Sequence, residues 1–423
     1  MLEQQGADVL PSRLEFQSGR HLPGLRWLGF RLLVVSGAVA CAPETPFGRA
    51  SRQVPGEPDH GVSPPSVVAA ANAFPATSCV TRELHRASLV EVNAVAPPDL
   101  RRGQPQPQDE NWFPTRLTDI VPVPNGVAVL DGPAGSVTVF SRDFRTRHQW
   151  GRRGGGPAEL QDARAIALSP GADELWILNG RPPRLTAFSI DGRFLRTISI
   201  SAIRGMNPVT GVQGVDLAIG GDGTFYLGHQ IQRTQVENGP MGLVSMVSSE
   251  GEYLGDLVSI SAHDWHPPRV VLPFSTEVRV KASGSRVLVI YPVAGVVDVY
   301  HEGVTTATAE ACLPEALERA YADQVSAATQ DDRREGFVYL VTDAALDSLG
   351  RIRLVGPLRD SVSQFHVDLF DVLGALEGSI VMPGVGRSLL SHPRFADPEQ
   401  ELVSFNPTGT IVRFRLQSDA QRR

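Results

Sequence analysis

The residues that first invite a chemical reading are "GRRGGGPAEL", Gly151 to Leu160. Three glycines behind two arginines suggest a loop that cradles phosphate. The spacings that chemistry needs are absent. A P-loop requires G-x-x-x-x-G-K-[ST], with lysine reaching the phosphates. This stretch has no lysine and no following Ser or Thr. A dinucleotide fingerprint requires G-x-G-x-x-G opening a helix. Gly154, Gly155, Gly156 and Pro157 do not supply it, and a strand-like run, "ARAIALSP", follows. The stretch reads instead as a turn between pieces of sheet. Arg152, Arg153, Arg181 and Arg184 form either a positive patch on adjacent loops or an ordinary solvated surface, the second being the plainer reading.

Metal chemistry has two candidates. "HDWH" places His263 and His266 so that two imidazoles can share a zinc ion. No third ligand accompanies them, and a polar loop around an aromatic is the plainer reading. Asp131 and Asn179 follow equivalent strands in two successive units. Their oxygens suit calcium, which takes several oxygen ligands. The next unit has Gly228 and His229 there, so a turn-forming role is the plainer reading. His148, His301, His366 and His392 are scattered, and His229 and His392 sit near strand ends where they can face a central axis. Trp112 and Phe113 precede the first unit and cover either a ligand mouth or the gap where the chain joins the sheet. There is no G-x-S-x-G elbow, H-E-x-x-H, C-x-x-C or EF-hand loop. No catalytic residue is assignable, and an enzyme is the lesser expectation.

These residues stand on a repeat. One unit reads "GVAVLDGPAGSVTVFSRDFRTRHQWG" from Gly126; another reads "DELWILNGRPPRLTAFSIDGRFLRTISI" from Asp173. Four further units begin near Gly223, Ser285, Gly350 and Gln400. The shared skeleton is an apolar strand, a turn, a strand ending in an aromatic or Val, an acidic-Gly turn and a further strand. The acidic-Gly turns are Asp191-Gly192, Glu250-Gly251 and Glu302-Gly303, and such dipeptides between apolar runs signal hairpins. Units of this length with three or four strands each indicate propeller blades. The region from Cys79 onward predicts an all-β, six-bladed propeller, with seven shorter blades as the alternative. "ASLVEVNAV" from Ala87 has no partner within a unit and is expected to close the ring on the final one. Residues 313–332 carry a helical period, Leu317, Tyr321 and Val325, with Pro314 and Glu315 in the first turn. One helix is predicted there.

The chain has 423 residues, 42% of them hydrophobic, and a net charge of −7. A sizeable core is available, and no basic surplus argues for nucleic acid. Residues 1–41 read as an export signal. Arg20, Arg26 and Arg31 are followed by "LLVVSGAVA", too short to span a bilayer, and then by Cys41. "AVAC" resembles a bacterial lipobox, in which the Cys becomes the lipidated terminus; Ala38 departs from the usual Leu. Residues 42–78 are rich in Pro, Ala, Ser and Gly without hydrophobic period, a disordered tether. Cys79 and Cys312 are either one disulfide or two separate thiols.

Asp131, Phe140, Gly151, Arg152, Gly154, Gly156, Pro157, Glu159 and Leu160 together form a strand, an acidic residue, an aromatic strand and G-R-x-G-x-G-P-x-E-[FL]. This resembles the six-bladed β-propeller lipoproteins of bacteria, which are similar to NHL-repeat propellers. Ala158 and Leu160 depart from the usual Gly and Phe, and the likeness is clearest over residues 117–200. The resemblance implies the fold and the cell envelope, and little about activity. The expected role is a lipid-anchored, monomeric binding or scaffold module for a protein, peptide or saccharide, with no cofactor. The alternative is a calcium-dependent lactonase or esterase of the gluconolactonase type. The acidic Gly-Pro-x-Trp motif of those enzymes is missing at Gly155-Gly156-Pro157-Ala158.

Overall fold

The structure is a computed structural model that describes residues 88–95, 115–201, 213–232, 240–261, 275–311, 340–357, 365–381, 392–397, 401–405 and 411–417. Leader, tether, the predicted helix at 313–332, all three cysteines, Trp112, Phe113, His263 and His266 lie outside those residues.

Six antiparallel four-stranded sheets form the blades. Blade 1 is Leu117–Val123, Gly126–Asp131, Ser136–Ser141 and Arg147–Trp150. Blade 2 is Ala163–Leu168, Glu174–Gly180, Pro183–Ser189 and Phe194–Ser199. Blade 3 is Gln213–Ile219, Phe225–Gln232, Met241–Val247 and Tyr253–Ile260, and the short Ser275–Glu277 also pairs with its second strand. Blade 4 is Arg279–Ser283, Arg286–Tyr291, Val296–His301 and Val304–Glu310. Blade 5 is Asp343–Leu346, Ile352–Pro357, Phe365–Phe370 and Leu376–Val381. Blade 6 is His392–Asp397, Glu401–Phe405 and Ile411–Gln417, completed by Ser88–Val95. The first strands lie beside one another in blade order, and that of blade 6 returns to that of blade 1. The ring therefore has six blades, not seven.

Each blade is covered on both faces by its neighbours. In Gly126–Asp131, Val127 and Val129 pack with Val403 and Ile411 of blade 6, while Ala128 and Leu130 pack with Ile166, Leu175 and Phe188 of blade 2. The same division recurs in blade 4, where Val287 and Val289 face blade 3 and Leu288 and Ile290 face blade 5. Two-sided burial explains why second strands read as continuous apolar runs. The outer strand Phe194–Ser199, with one covered face, mixes apolar and polar residues.

The predicted turns are present. In blade 2 the Gly192 N–H donates to the Ser189 carbonyl at 2.8 Å, and Gly192 has φ +88. A Cβ there would also meet the Trp150 ring at 2.3 Å, so glycine answers both to the backbone and to the neighbouring blade. Glu302 and Gly303 both have positive φ between paired His301 and Val304, a tight two-residue hairpin. The closing strand is also where expected: Ser88 pairs opposite Gln417 and Val95 opposite Ile411.

"GRRGGGPAEL" is the crossover from the outer strand of blade 1 to the inner strand of blade 2. Arg153 and Leu160 form an isolated bridge, and the Leu160 N–H donates to the Arg152 carbonyl at 2.9 Å. Arg184 fastens the loop by donating to the carbonyls of Gly155, Gly156 and Glu159 at 3.0, 2.9 and 2.7 Å.

Candidate binding site at the channel mouth

The inner strands carry a local irregularity that positions a site. In blades 1, 2 and 3 the ladder between first and second strands skips one residue: Thr118, Arg164 and Val215. A bulge re-aims the extra side chain. All three line one cavity of about 810 Å³, on the face carrying the crossovers and the turns between second and third strands. Arg116, Gly132 and Pro133 of blade 1, Arg153, Gln161 and Asp162 of the crossover, Arg181 of blade 2 and Gln230 of blade 3 complete its wall.

The charge of this mouth is lopsided. Four guanidiniums, Arg116, Arg153, Arg164 and Arg181, face one carboxylate, Asp162. Asp162 takes Arg164 at 2.6 Å and Arg181 at 3.8 Å. Arg116 and Arg153 are exposed and have no ion-pair partner among the described residues. On a chain of net charge −7 this is a local reversal of sign, and it attracts anions.

One residue further along each inner strand is a second layer: Asp119, Ala165, Asp216, Arg279, Asp343 and Arg394. The carboxylates stitch alternate blade joints. Asp119 accepts the Ile166 N–H at 3.1 Å, Asp216 that of Val280 at 2.9 Å and Asp343 that of Phe395 at 3.0 Å. Guanidiniums cross the other joints. Arg164 donates to the Gly214 carbonyl at 3.4 Å, Arg279 to that of Thr342 at 3.0 Å, and Arg394 to Asp119 at 3.3 Å. Arg394 also pairs with Asp343 at 3.2 Å, and Lys281 approaches the same carboxylate at 3.6 Å. Burial works against the Arg394 charge, but Asp343, Asp119 and Asp216 hold it more firmly protonated than usual. Burial and the neighbouring Asp119 charge push the Asp216 carboxyl above the usual range, opposed by Lys281, Arg394 and Arg279.

The residues singled out from sequence divide. Arg153 and Arg181 reach the mouth. Arg152 instead pairs with Glu159 at 2.8 Å, and Arg184 is buried in the crossover. The Asp131 carboxylate accepts the N–H groups of Thr115, Arg116 and Ala134. The Asn179 side-chain Oδ1 accepts that of Gln161 at 3.1 Å, and its Nδ2 donates to Thr186 Oγ1 at 3.1 Å. Both residues tie the approach of an inner strand to the strand beside it. Their oxygens accept from N–H groups of the protein, and a guanidinium sits between Asp119 and Asp343. Among the described residues no three His, Cys, Asp or Glu side chains converge as metal ligands. His148 and His301 bond to the Asp191 carbonyl and to Ser285 at the surface. Arg116, Thr118, Arg164 and the charged second layer were not singled out from sequence.

His229 is buried rather than facing the axis: its Nε2 is 2.9 Å from Ser245 Oγ, which donates to Asp256 at 2.8 Å. Burial lowers its pKa to about 4. An unfolded histidine titrates near 6.5, so its stabilising contribution is complete above that pH and is lost as pH falls through 4. Urea unfolding is expected to show a loss of up to roughly 3 kcal/mol from this group between those values. His229→Gln should flatten that part of the profile; an unchanged profile would contradict the assignment.

No protein-family model matches the chain, and no curated protein matches it. Among solved structures it is similar to a Bacteroides fragilis NCTC 9343 protein named as a candidate for export, at 10% identity and TM-score 0.46, over 81% of this chain and 98% of that one. A Bacteroides thetaiotaomicron VPI-5482 protein of unknown function matches at 9% identity and TM-score 0.46, over 73% and 71%. The WD40 repeats of RRP9 match at 11% identity and TM-score 0.42, over 71% and 94%.

Proposed function

We propose that this propeller is an exported binding module, lipid-anchored through Cys41 and held off the membrane by residues 42–78, that captures its ligand at the channel mouth on the crossover face. The leader and lipobox-like "AVAC" support the anchoring and an envelope location. The observation that carries the binding role is the 810 Å³ cavity with its excess of guanidiniums. That volume falls within the usual range of ligand sites, about 300–1,000 Å³, and the charged wall selects for an anion. The module acts as a monomer on a saccharide, peptide or protein, without a cofactor.

The test is a paired glycan and peptide array probed with the full chain. The reading expects at least one probe class to be retained and then lost in Arg116→Glu/Arg153→Glu. Arg145→Glu, in the exposed turn between third and fourth strands on the opposite face, should retain it. Retention of every probe by the double variant would contradict the reading.

A further inference from the structure

We infer that the ligand of the channel mouth is an acidic saccharide, its carboxylate held by Arg153 and Arg116. This rests on the proposed binding role of the same cavity and assigns its ligand class. The first observation is the charge. Arg164 is committed to Asp162 and the Gly214 carbonyl, and Arg181 lies within 3.8 Å of Asp162. That leaves Arg116 and Arg153 as the cations without an ion-pair partner among the described residues of the wall. A guanidinium fork matches a carboxylate with two parallel hydrogen bonds.

The second observation is what surrounds them. Gln161 and Gln230 place two amides in the wall, Thr118 adds a hydroxyl that donates to the Leu130 carbonyl at 3.1 Å and keeps its acceptor side, and the apolar members are small: Ala163, Pro133 and Val215. Groups that both donate and accept suit the dense hydroxyls of a sugar. Peptides are held instead by aromatic or aliphatic anchors in apolar pockets or by pairing to a free strand edge. Among the described residues that line this cavity there is no aromatic side chain.

The third observation argues against phosphate. Phosphate loops present unoccupied backbone N–H groups to the anion. Here the Gly154 N–H is spent on the Leu160 carbonyl at 3.2 Å and the Gly156 N–H on Glu159 at 2.8 Å. Two of the three glycine N–H groups are thus spent within the loop, and Arg153 lines the cavity.

Isothermal titration of the full chain at low salt decides the matter. The probes are trimers of galacturonate, glucuronate and mannuronate, their neutral methyl esters, a hexaglutamate peptide and inorganic phosphate. At least one uronate trimer should bind saturably, and its methyl ester at least about tenfold more weakly. Arg153→Gln and Arg116→Gln should each weaken the acid by about tenfold while leaving the melting temperature unchanged. Binding that fails for every uronate, or that is equal for acid and ester, overturns the inference. So does tighter binding of the peptide or of phosphate. A different probe bound by the wild type and lost in the arginine variants removes the saccharide assignment alone. If the arginine variants change no probe's binding, the assignment and the binding role at this mouth fall together.

Discussion

Arg394→Ala is expected to lower the unfolding free energy by about 3–5 kcal/mol, the cost of stranding buried charges. The guanidinium is 6% exposed and lies between Asp119 and Asp343, whose side chains are 6% and 2% exposed. Removing it leaves two carboxylates in the channel without their shared cation, at the joints of blade 6 with blades 5 and 1. The surface pair Arg152–Glu159 is different, because Arg152 is 80% exposed. Such a pair is worth about 1 kcal/mol or less. Urea unfolding of Arg394→Ala and Arg152→Ala makes the comparison. Adding Asp119→Asn to Arg394→Ala should recover part of the loss, because Arg394 is the ion-pair partner of Asp119 among the described residues, whereas Lys281 stays 3.6 Å from Asp343. A loss below about 1 kcal/mol for Arg394→Ala would mean that the ring is hydrated or rearranges freely.

Replacing Ser88–Val95 by a Gly-Ser segment of equal length is expected to cost several kcal/mol and most of the soluble yield. The strand pairs along Ile411–Gln417 from Ser88↔Gln417 to Val95↔Ile411, and each backbone hydrogen bond contributes about 1 kcal/mol net. Its loss exposes the edge of blade 6, and an unpaired edge is a template for aggregation. Blade 6 would still be clasped to blade 1 by Glu401, which accepts Arg142 at 2.8 Å and also pairs with Arg413 and Arg415. Partial structure is therefore expected rather than a fully unfolded chain. A peptide spanning the strand, added in trans, should restore the melting transition by adding back an edge strand. A replacement variant that melts like the wild type would show that closure by this strand is dispensable.

The sequence carried the parts of the fold that are local. The runs 127–130 and 175–178 are apolar throughout because neighbouring blades cover both faces. The turns at Asp191-Gly192 and Glu302-Gly303 announce themselves through glycine at positive φ. The closing strand was legible as a strand without a partner. The channel was not legible. Asp119, Asp216 and Asp343 are single acidic residues on separate blades, and they become a layer only when the ring closes. The bulges add to the difficulty, because one extra residue shifts the alternation that marks an inward face. A signal was present in the short patterns Thr118-Asp119-Ile120, Val215-Asp216-Leu217 and Thr342-Asp343-Ala344, each a Thr or Val, an acid and an apolar residue. Aligned by inner strand rather than by the stronger second strand, they mark the layer. The arginines of the crossover show the same limit. Arg152 and Arg153 are adjacent in sequence, yet one is paired with Glu159 and the other faces the cavity.

Ligand is proposed to bind at the crossover-face mouth of the channel. Hydrogen exchange of the full chain, with and without saturating uronate trimer, tests it most directly. Slowed exchange is expected in residues 115–118, 151–164 and 180–183, which carry much of the wall of the cavity. Exchange in the turns at 123–126 and 141–146, on the opposite face, should be unchanged. Protection confined to those opposite turns, or none with ligand bound, would contradict it.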